Sequence, residues 1–310
     1  PWPASDFTEF NGFLKADLTL TPTQRLIAFA SFSGIDDAGR TDRLGQGDIR
    51  WYDNSMMVTY LRWLYEPAKS WVRTARVTPH VQYLQEGIDR YTCLGNTSVE
   101  GLARTECAER NYDWITRHRN YSDTIRAIGL TTDVTTRPLL GWLSLSFGAD
   151  LRLEHVTSLL EDSKVQEMDS PIEPRGQLSN GSQYGTGALW VLSKTDLHQS
   201  DEGGRLRLHA GARATASGAI ARRVPGIGDV NYDAFGVVGS TGLRWNHRSG
   251  FGAFVSLDQG FRAPNLQETT VLGDTGSKFE VPNAELLPEY SNAAEVGLSY
   301  RGSSVHTTVS

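Results

Sequence analysis

Residues 143 to 154 read LSLSFGADLRLE, and their apolar side chains fall on alternate positions. Leu143, Leu145, Phe147, Ala149, Leu151 and Leu153 form one set; Ser144, Ser146, Gly148, Asp150, Arg152 and Glu154 form the other. Side chains of an extended chain point alternately to opposite faces, so a period of two describes a strand with one oily and one wet face. A helix would repeat its apolar positions every three to four residues. Residues 205 to 216 show the same pattern, with Arg205, Arg207, His209, Gly211, Arg213 and Thr215 on the polar side and Leu206, Leu208 and four alanines on the other. Weaker alternation marks further segments on both sides. About twelve strands are predicted, near 12–20, 25–34, 52–64, 71–86, 119–133, 142–157, 184–197, 204–220, 231–245, 250–262, 289–300 and 303–310.

The connections between these strands take turns in length. Those at 21–24, 65–70, 134–141, 198–203, 246–249 and 301–302 are short, while 35–51, 87–118, 158–183, 221–230 and 263–288 are long and rich in Gly, Asp, Ser, Asn and Pro. An up-and-down barrel in an outer membrane alternates short turns on one side with long loops on the other. Soluble β-sandwiches, the bland alternative, use strands of about 5 to 6 residues, whereas a tilted membrane-crossing strand needs about 9 to 11. Most of the predicted strands meet the longer requirement. Trp63, Tyr65, Trp71, Trp142 and Trp245 cluster at the short turns, as an interfacial aromatic girdle requires; scattered core aromatics are the plainer reading. The fold class expected is therefore all-β, a transmembrane antiparallel up-and-down barrel.

Composition agrees. The chain has 310 residues with 30 Lys plus Arg against 36 Asp plus Glu, a net charge of −6, which is not the basic balance of a nucleic-acid binder. No stretch approaches the ~18 to 20 apolar residues of a spanning helix. The opening PWPASDFTEF is not a charged-then-apolar signal peptide, so a secretion signal is expected to be absent or cut off. Length alone allows two compact domains or one large all-β domain. A polar inner face accounts for the negative mean hydropathy.

Residues 260 to 300, GFRAPNLQETTVLGDTGSKFEVPNAELLPEYSNAAEVGLSY, resemble the late-barrel signature of TonB-dependent outer-membrane receptors. One box is Phe261-Arg262-Ala263-Pro264. The second, Asn-Pro-Asn-Leu-Lys-Pro-Glu in type, reads Asn283-Ala284-Glu285-Leu286-Leu287-Pro288-Glu289, and Ser291, Glu295, Gly297 and Tyr300 complete it. Ala284, Glu285 and Leu287 depart from the usual residues, but the spacing is kept. The resemblance implies a 22-stranded barrel of the bacterial outer membrane, filled by a separate N-terminal plug. Such a receptor binds and imports a scarce nutrient, most often a ferric siderophore, with energy from the TonB complex. Its partners would be outer-membrane lipid, its own plug domain, the TonB complex and a small metal chelate; no nucleic acid and no cofactor are expected. With about twelve strands, and ending at SSVHTTVS without a terminal aromatic, the chain is expected to be an internal part of that barrel. A complete twelve-stranded barrel is the competing view, a passive porin or channel the competing function, and a haem, cobalamin or other metal-chelate receptor the alternative within the family.

Site candidates follow from residue type. Arg262 closes a strand on its more polar side, so its guanidinium should face the lumen, where an ion pair is favoured over ligand contact. Pro264 and Pro288 act as punctuation, lacking an amide donor and disfavouring helix before them. Arg205, Arg207 and Arg213 should also face the lumen, bracing it or engaging the plug. Cys93 and Cys107 are the only cysteines, both in 87–118, and read as a disulfide. A metal site would need two more ligands, and among the histidines only His118 is near. Tyr91, Tyr112, Trp114, His118 and Arg119, with Tyr184 beside another loop, are suited to stacking on a planar ligand or holding an anionic chelate; girdle and loop packing is the plainer reading. A short helix fits 98–110. No histidine lies in 265–282, where haem receptors of the family usually carry one. No nucleophile elbow, phosphate loop or metal-binding helix motif is present, so no enzyme is expected.

Overall fold

The computed structural model describes residues 6–40, 47–93, 115–164, 172–173, 176–200, 203–224, 226–274, 279–302 and 306–309. The main strands are β1 (Thr8–Thr21), β2 (Gln24–Arg40), β3 (Asp48–Tyr65), β4 (Val72–Cys93), β5 (Ile115–Thr136) and β6 (Leu143–Lys164). After a two-residue strand β7 (Ile172–Glu173) come β8 (Gln183–Gln199), β9 (Gly204–Val224), β10 (Gly228–His247) and β11 (Phe251–Arg262). Helix α1 (Leu266–Thr270) and the short hairpin β12 (Gly273–Asp274) with β13 (Phe279–Glu280) lead to β14 (Glu289–Arg301) and β15 (His306–Val309). Twelve of these form one antiparallel up-and-down path, β1-β2-β3-β4-β5-β6-β8-β9-β10-β11-β14-β15; β7 adds to β6. This is the all-β barrel architecture expected. Among the described residues β1 and β15 pair with one neighbour each.

Period-two alternation sorts the side chains. On the outward face large apolar groups stand in solvent: Leu189, Phe235, Val237, Leu257 and Val296 are 57 to 70% exposed. A water-facing sheet would not carry so broad an apolar surface, whereas a lipid-facing barrel requires one. At the short-turn ends Trp63 stacks on Tyr65 at 5.7 Å, Trp245 on His247 at 5.9 Å, and Phe251 leans on Tyr300 at 4.8 Å. The inward face is polar and cross-linked by ion pairs. Arg213 reaches over the small Ala188 to Asp150 at 2.9 Å, Arg205 and Arg207 share Asp196, and Arg76 meets Asp133 at 2.7 Å. Arg205, Arg207 and Arg213 thus lie on the lumen side.

The strands exceed their expected bounds at the loop ends. β4, β5 and β6 each have 22 residues, twice the crossing requirement, so their far halves stand clear of a bilayer. Segments 35–51 and 221–230, expected as long connections, are mostly strand, and only three residues separate Val224 from Gly228. The strict alternation of short and long connections therefore fails between β9 and β10. The cause is a bulge near each tip. Asp37 (φ 54°) sits at a register shift in β2, and its N–H donates to Asp53 Oδ1 at 2.7 Å. Arg223 (φ 53°) sits at one in β9, and its N–H donates to Asp229 Oδ1 at 2.9 Å. An extra residue breaks the phase of alternation, so a bulged strand reads as loop.

Candidate functional site

At the loop end of the lumen, two long connections fold inward onto the wall. Residues 176–182, before β8, lie against β5 and β6 around Ser158, which is fully buried. Its hydroxyl donates to Asp123 and accepts from the N–H groups of Gly176 (2.8 Å) and Leu178 (3.2 Å), while its own N–H donates to Asn180 Oδ1 at 3.1 Å. Ser179 donates to the carbonyl of Arg222 at 2.7 Å, tying the segment to β9. One buried hydroxyl thus satisfies two backbone donors that the turn would otherwise strand. Gly176 permits this approach: a Cβ there would meet Leu159 O and Ser158 Oγ at 2.8 Å.

Helix α1 rests on this segment. Leu266 joins Leu178, Val156, Ala219, Ala221, Val224 and Val230 in one apolar cluster, with Tyr184, Tyr232 and Ala284 packed against it. Between the two connections and the wall is a cavity of about 190 Å³ lined by Leu84, Glu86, Asp123, Ile125, Gln177, Leu178, Gln267 and Val271. Burial, reinforced by the neighbouring Asp123 carboxylate, pushes Glu86 up from its ordinary pKa.

The two sequence boxes meet at the root of α1. Arg262, the last residue of β11, lies opposite Glu289, the first of β14, and pairs with it at 2.7 Å and with Glu268 of α1 at 2.8 Å. Asn265 caps the helix reciprocally, accepting from Glu268 N (2.9 Å) while Glu268 accepts from Asn265 N (3.0 Å). Hydrogen bonds from the Asn265 N–H and from Arg262 hold the Glu268 carboxyl below its ordinary range. Phe261 and Tyr290 lean together outside at 5.3 Å. Asn283 Oδ1 accepts from Glu285 N at 2.9 Å, shaping the turn of the second box. Pro264, Leu286, Leu287 and Glu289 line a second, open cavity of about 390 Å³ beside Arg262, and Leu287, where the family usually has lysine, is 82% exposed there. Ala263 and Pro288 take part in neither cluster.

The aromatic and basic candidates divide between the two faces of the wall. Tyr91 stacks on His118 at 4.4 Å and meets Trp51 edge-on at 5.6 Å, in a buried cluster with Ile49 and Ile115; Asp89 Oδ1 lies 3.0 Å from His118 Nε2. These side chains share the phase of Ile128 and Leu130 and so face outward. Arg119 and Tyr184 face inward, Tyr184 against the apolar cluster and Arg119 beside Arg90 and Arg117, with its Nε buried and without an acceptor among the described residues. Tyr112, Trp114, Cys107 and the helix expected at 98–110 lie outside the described residues. No described cysteine is a free thiol, and no group of three or more metal-ligating side chains occurs among the described residues. Sequence reasoning missed Trp51, Ser158 and Asp123. Counting by twos from Ile128 would have placed His118 on the outer face, but the strand was expected to begin at 119, one residue too late.

Asp48 binds both Arg50 and Arg90 at 2.8 Å on the inner wall at the head of β3. Burial alone would raise its carboxyl, but the hydrogen bonds from Arg50 and Arg90 prevail and hold it below the usual carboxylate range. A carboxyl lowered on folding contributes stability above its unfolded pKa and loses it as pH falls through its folded value. Protection of the amides at the β3–β4 loop end, corrected for the intrinsic pH dependence of exchange, should therefore fall on acidification below the ordinary carboxylate range. In Asp48→Asn protection should already be lower at neutral pH and respond less to acid.

The profile of the family described as TonB dependent receptor-like, beta-barrel matches residues 3–310. No curated protein matches the chain by sequence. Among solved structures, the chain superposes on the copper transporter OprC with a TM-score of 0.64 at 15% identity, covering 97% of this chain and 44% of that one. It also superposes on the haemophore receptor HasR of Serratia marcescens with a TM-score of 0.64 at 13% identity, covering 95% and 42%. For the FrpB iron transporter of Neisseria meningitidis the TM-score is 0.62 at 13% identity, with 99% and 44% covered. The chain thus spans less than half the length of each of these structures. With the strand path, the two polarised faces and the paired boxes, a match over nearly its whole length means that this chain belongs to the TonB-dependent receptor-like β-barrel family of bacterial outer-membrane proteins.

Proposed function

We propose that the chain is part of the barrel of an outer-membrane receptor that binds a scarce nutrient, of which a ferric siderophore or similar small metal chelate is the leading class. It imports this nutrient with energy supplied through TonB, working with a plug domain encoded elsewhere in the full-length protein. The observation that carries this reading is the inward folding of the 176–182 segment and α1 at the loop end, where they build a walled recess under the family's paired boxes. In this reading the connections contact the nutrient and the polar lumen wall passes it on; the barrel makes and breaks no covalent bond. The copper, haem and iron proteins it superposes on favour a metal-bearing cargo. Tyr91, Tyr112, Trp114, His118, Arg119 and Tyr184 remain the ligand candidates. Arg119 and Tyr184 are the stronger ones among the described residues, because they face inward. We further propose a Cys93–Cys107 disulfide pinning the 94–114 connection, which mass mapping of alkylated thiols without reductant would test; alkylation of both cysteines would refute it.

The test is uptake by the full-length protein in an outer membrane, using a panel of iron-55 siderophores, haem and copper chelates. One member should accumulate, and accumulation should cease when TonB is deleted. Equal flux with and without TonB would instead mark a passive pore.

A further inference from the structure

A row of polar side chains crosses the inner wall beneath the seated connections. Asn54 of β3 stands directly opposite Glu86 of β4, Glu86 opposite Asp123 of β5, and Asp123 opposite Ser158 of β6. Direct cross-strand partners have Cβ atoms about 4.5 to 5.5 Å apart, so each side chain is within reach of the next. The row is rich in acceptors and poor in donors. Ser158 gives its one hydroxyl proton to Asp123 and accepts from Gly176 and Leu178. Asn54 Oδ1 is buried and accepts from no group among the described residues. Glu86 and Asp123 are like charges face to face when both ionise, which destabilises a sheet. The groups around Glu86 do not balance its charge. Its inward neighbours on β4, Leu84 and Ile88, are apolar; on β5 Tyr121 and Ile125 flank Asp123, with Arg119 further toward the rim. Arg50 and Arg90 are bound to Asp48, and on β6 Arg152 is bound to Glu154. The connections supply Gln177, whose Nε2 donates to Glu86 Oε1 at 3.4 Å, and Gln267, while Glu268 is held by Arg262. Burial first, and then the Asp123 charge, raises the Glu86 pKa against the opposing Gln177 bond.

We infer that Glu86 holds a proton that latches residues 176–182 and α1 to the lumen wall, and that loss of this proton unseats them. The neutral carboxyl carries the donor that the row lacks, for Asn54 Oδ1 or for the Asp123 carboxylate, and it is buried without charge. Once ionised, Glu86 faces Asp123 beneath Gln177, Leu178, Gln267 and Val271, and lifting these residues admits water to both carboxylates. A carboxyl raised by seating stabilises the seated state below its ordinary pKa and ceases to do so as pH rises through the raised value. The direction is the reverse of that at Asp48, which loses its contribution on acidification. The recess is therefore closed in acid and opens as pH rises, whichever nutrient the barrel takes.

The experiment is hydrogen exchange of the full-length protein in detergent, corrected for the intrinsic pH dependence of exchange. Protection at 176–182 and 266–270 should fall together, by at least about threefold, as pH rises from about 4 to about 8, while β4–β6 near the short turns stay unchanged. In Glu86→Gln, whose amide keeps a donor and carries no charge, protection should stay high across that range. In Asp123→Asn the fall should remain, with its midpoint at lower pH, because the facing charge is gone. Wild-type protection that is level with pH, or rises with it, overturns the inference. So does a fall that survives in Glu86→Gln. Should Glu86→Gln not fold, a midpoint left unmoved by Asp123→Asn overturns it instead.

Discussion

With valine in place of Gly176, residues 176–182 should detach from the lumen wall while the barrel remains folded. The added Cβ would stand 2.8 Å from Leu159 O and Ser158 Oγ and 3.0 Å from Asp123 Oδ1, and the first of these is backbone that cannot swing aside. The segment must lift, and lifting breaks the bonds that Gly176 N and Leu178 N donate to Ser158. Overpacking and two lost hydrogen bonds together should destabilise the seated segment by roughly 3 kcal/mol. Because Leu178 and Leu266 share one apolar cluster, α1 should loosen with it. Hydrogen exchange at 176–182 and 266–270 should rise together in the variant, with β4–β6 unchanged. Exchange that rises in the first segment alone would show that the two connections are seated independently. Protection in both would show that Gly176 is not needed for the fit.

The second large effect concerns the two faces of a single strand. Val255 faces outward in the middle of β11, between Leu243 and Val296, and is 42% exposed; Ser256, the next residue, faces the lumen opposite Glu295. Arginine at Val255 should cost about 2 to 4 kcal/mol of folding stability in a bilayer, the depth-dependent price of a charge on the lipid face. Arginine at Ser256 should cost far less, since it meets water and the Glu295 carboxylate. Denaturant unfolding of the full-length protein in lipid vesicles measures both. Equal costs would mean that the assignment of outer and inner faces is wrong. Reversed costs would place the lumen on the Val255 side.

These predictions draw on different parts of the protein's logic. The alternation of residues 143–154 and 205–216 set the strand type and the two faces, because side-chain direction in an extended chain depends on position parity alone. The inward direction of Arg205, Arg207, Arg213 and Arg262 followed from the same parity. The boxes at 261–264 and 283–289 announced the family through their spacing. Parity fails where the backbone is irregular, which is why the bulged tips around Asp37 and Arg223 read as connections.

Contacts between segments far apart in the chain were set by the tertiary structure. Nothing local to Ser158 shows that it gathers Gly176 and Leu178, nothing in 266–270 shows that Leu266 rests on Leu178, and Arg262 finds Glu268 only once a helix forms in the connection. The separation of Tyr91 from Tyr184 is of the same kind, whereas adjacent His118 and Arg119 are parted by parity alone once the strand is known to begin before 118. By residue type these four suit one ligand, but register and parity place them on opposite sides of the wall. The sequence by itself therefore determined strands, faces and family, because these depend on residue type and period. Tertiary structure alone decided which residues share a surface, because that depends on register and on how the loops fold back into the lumen.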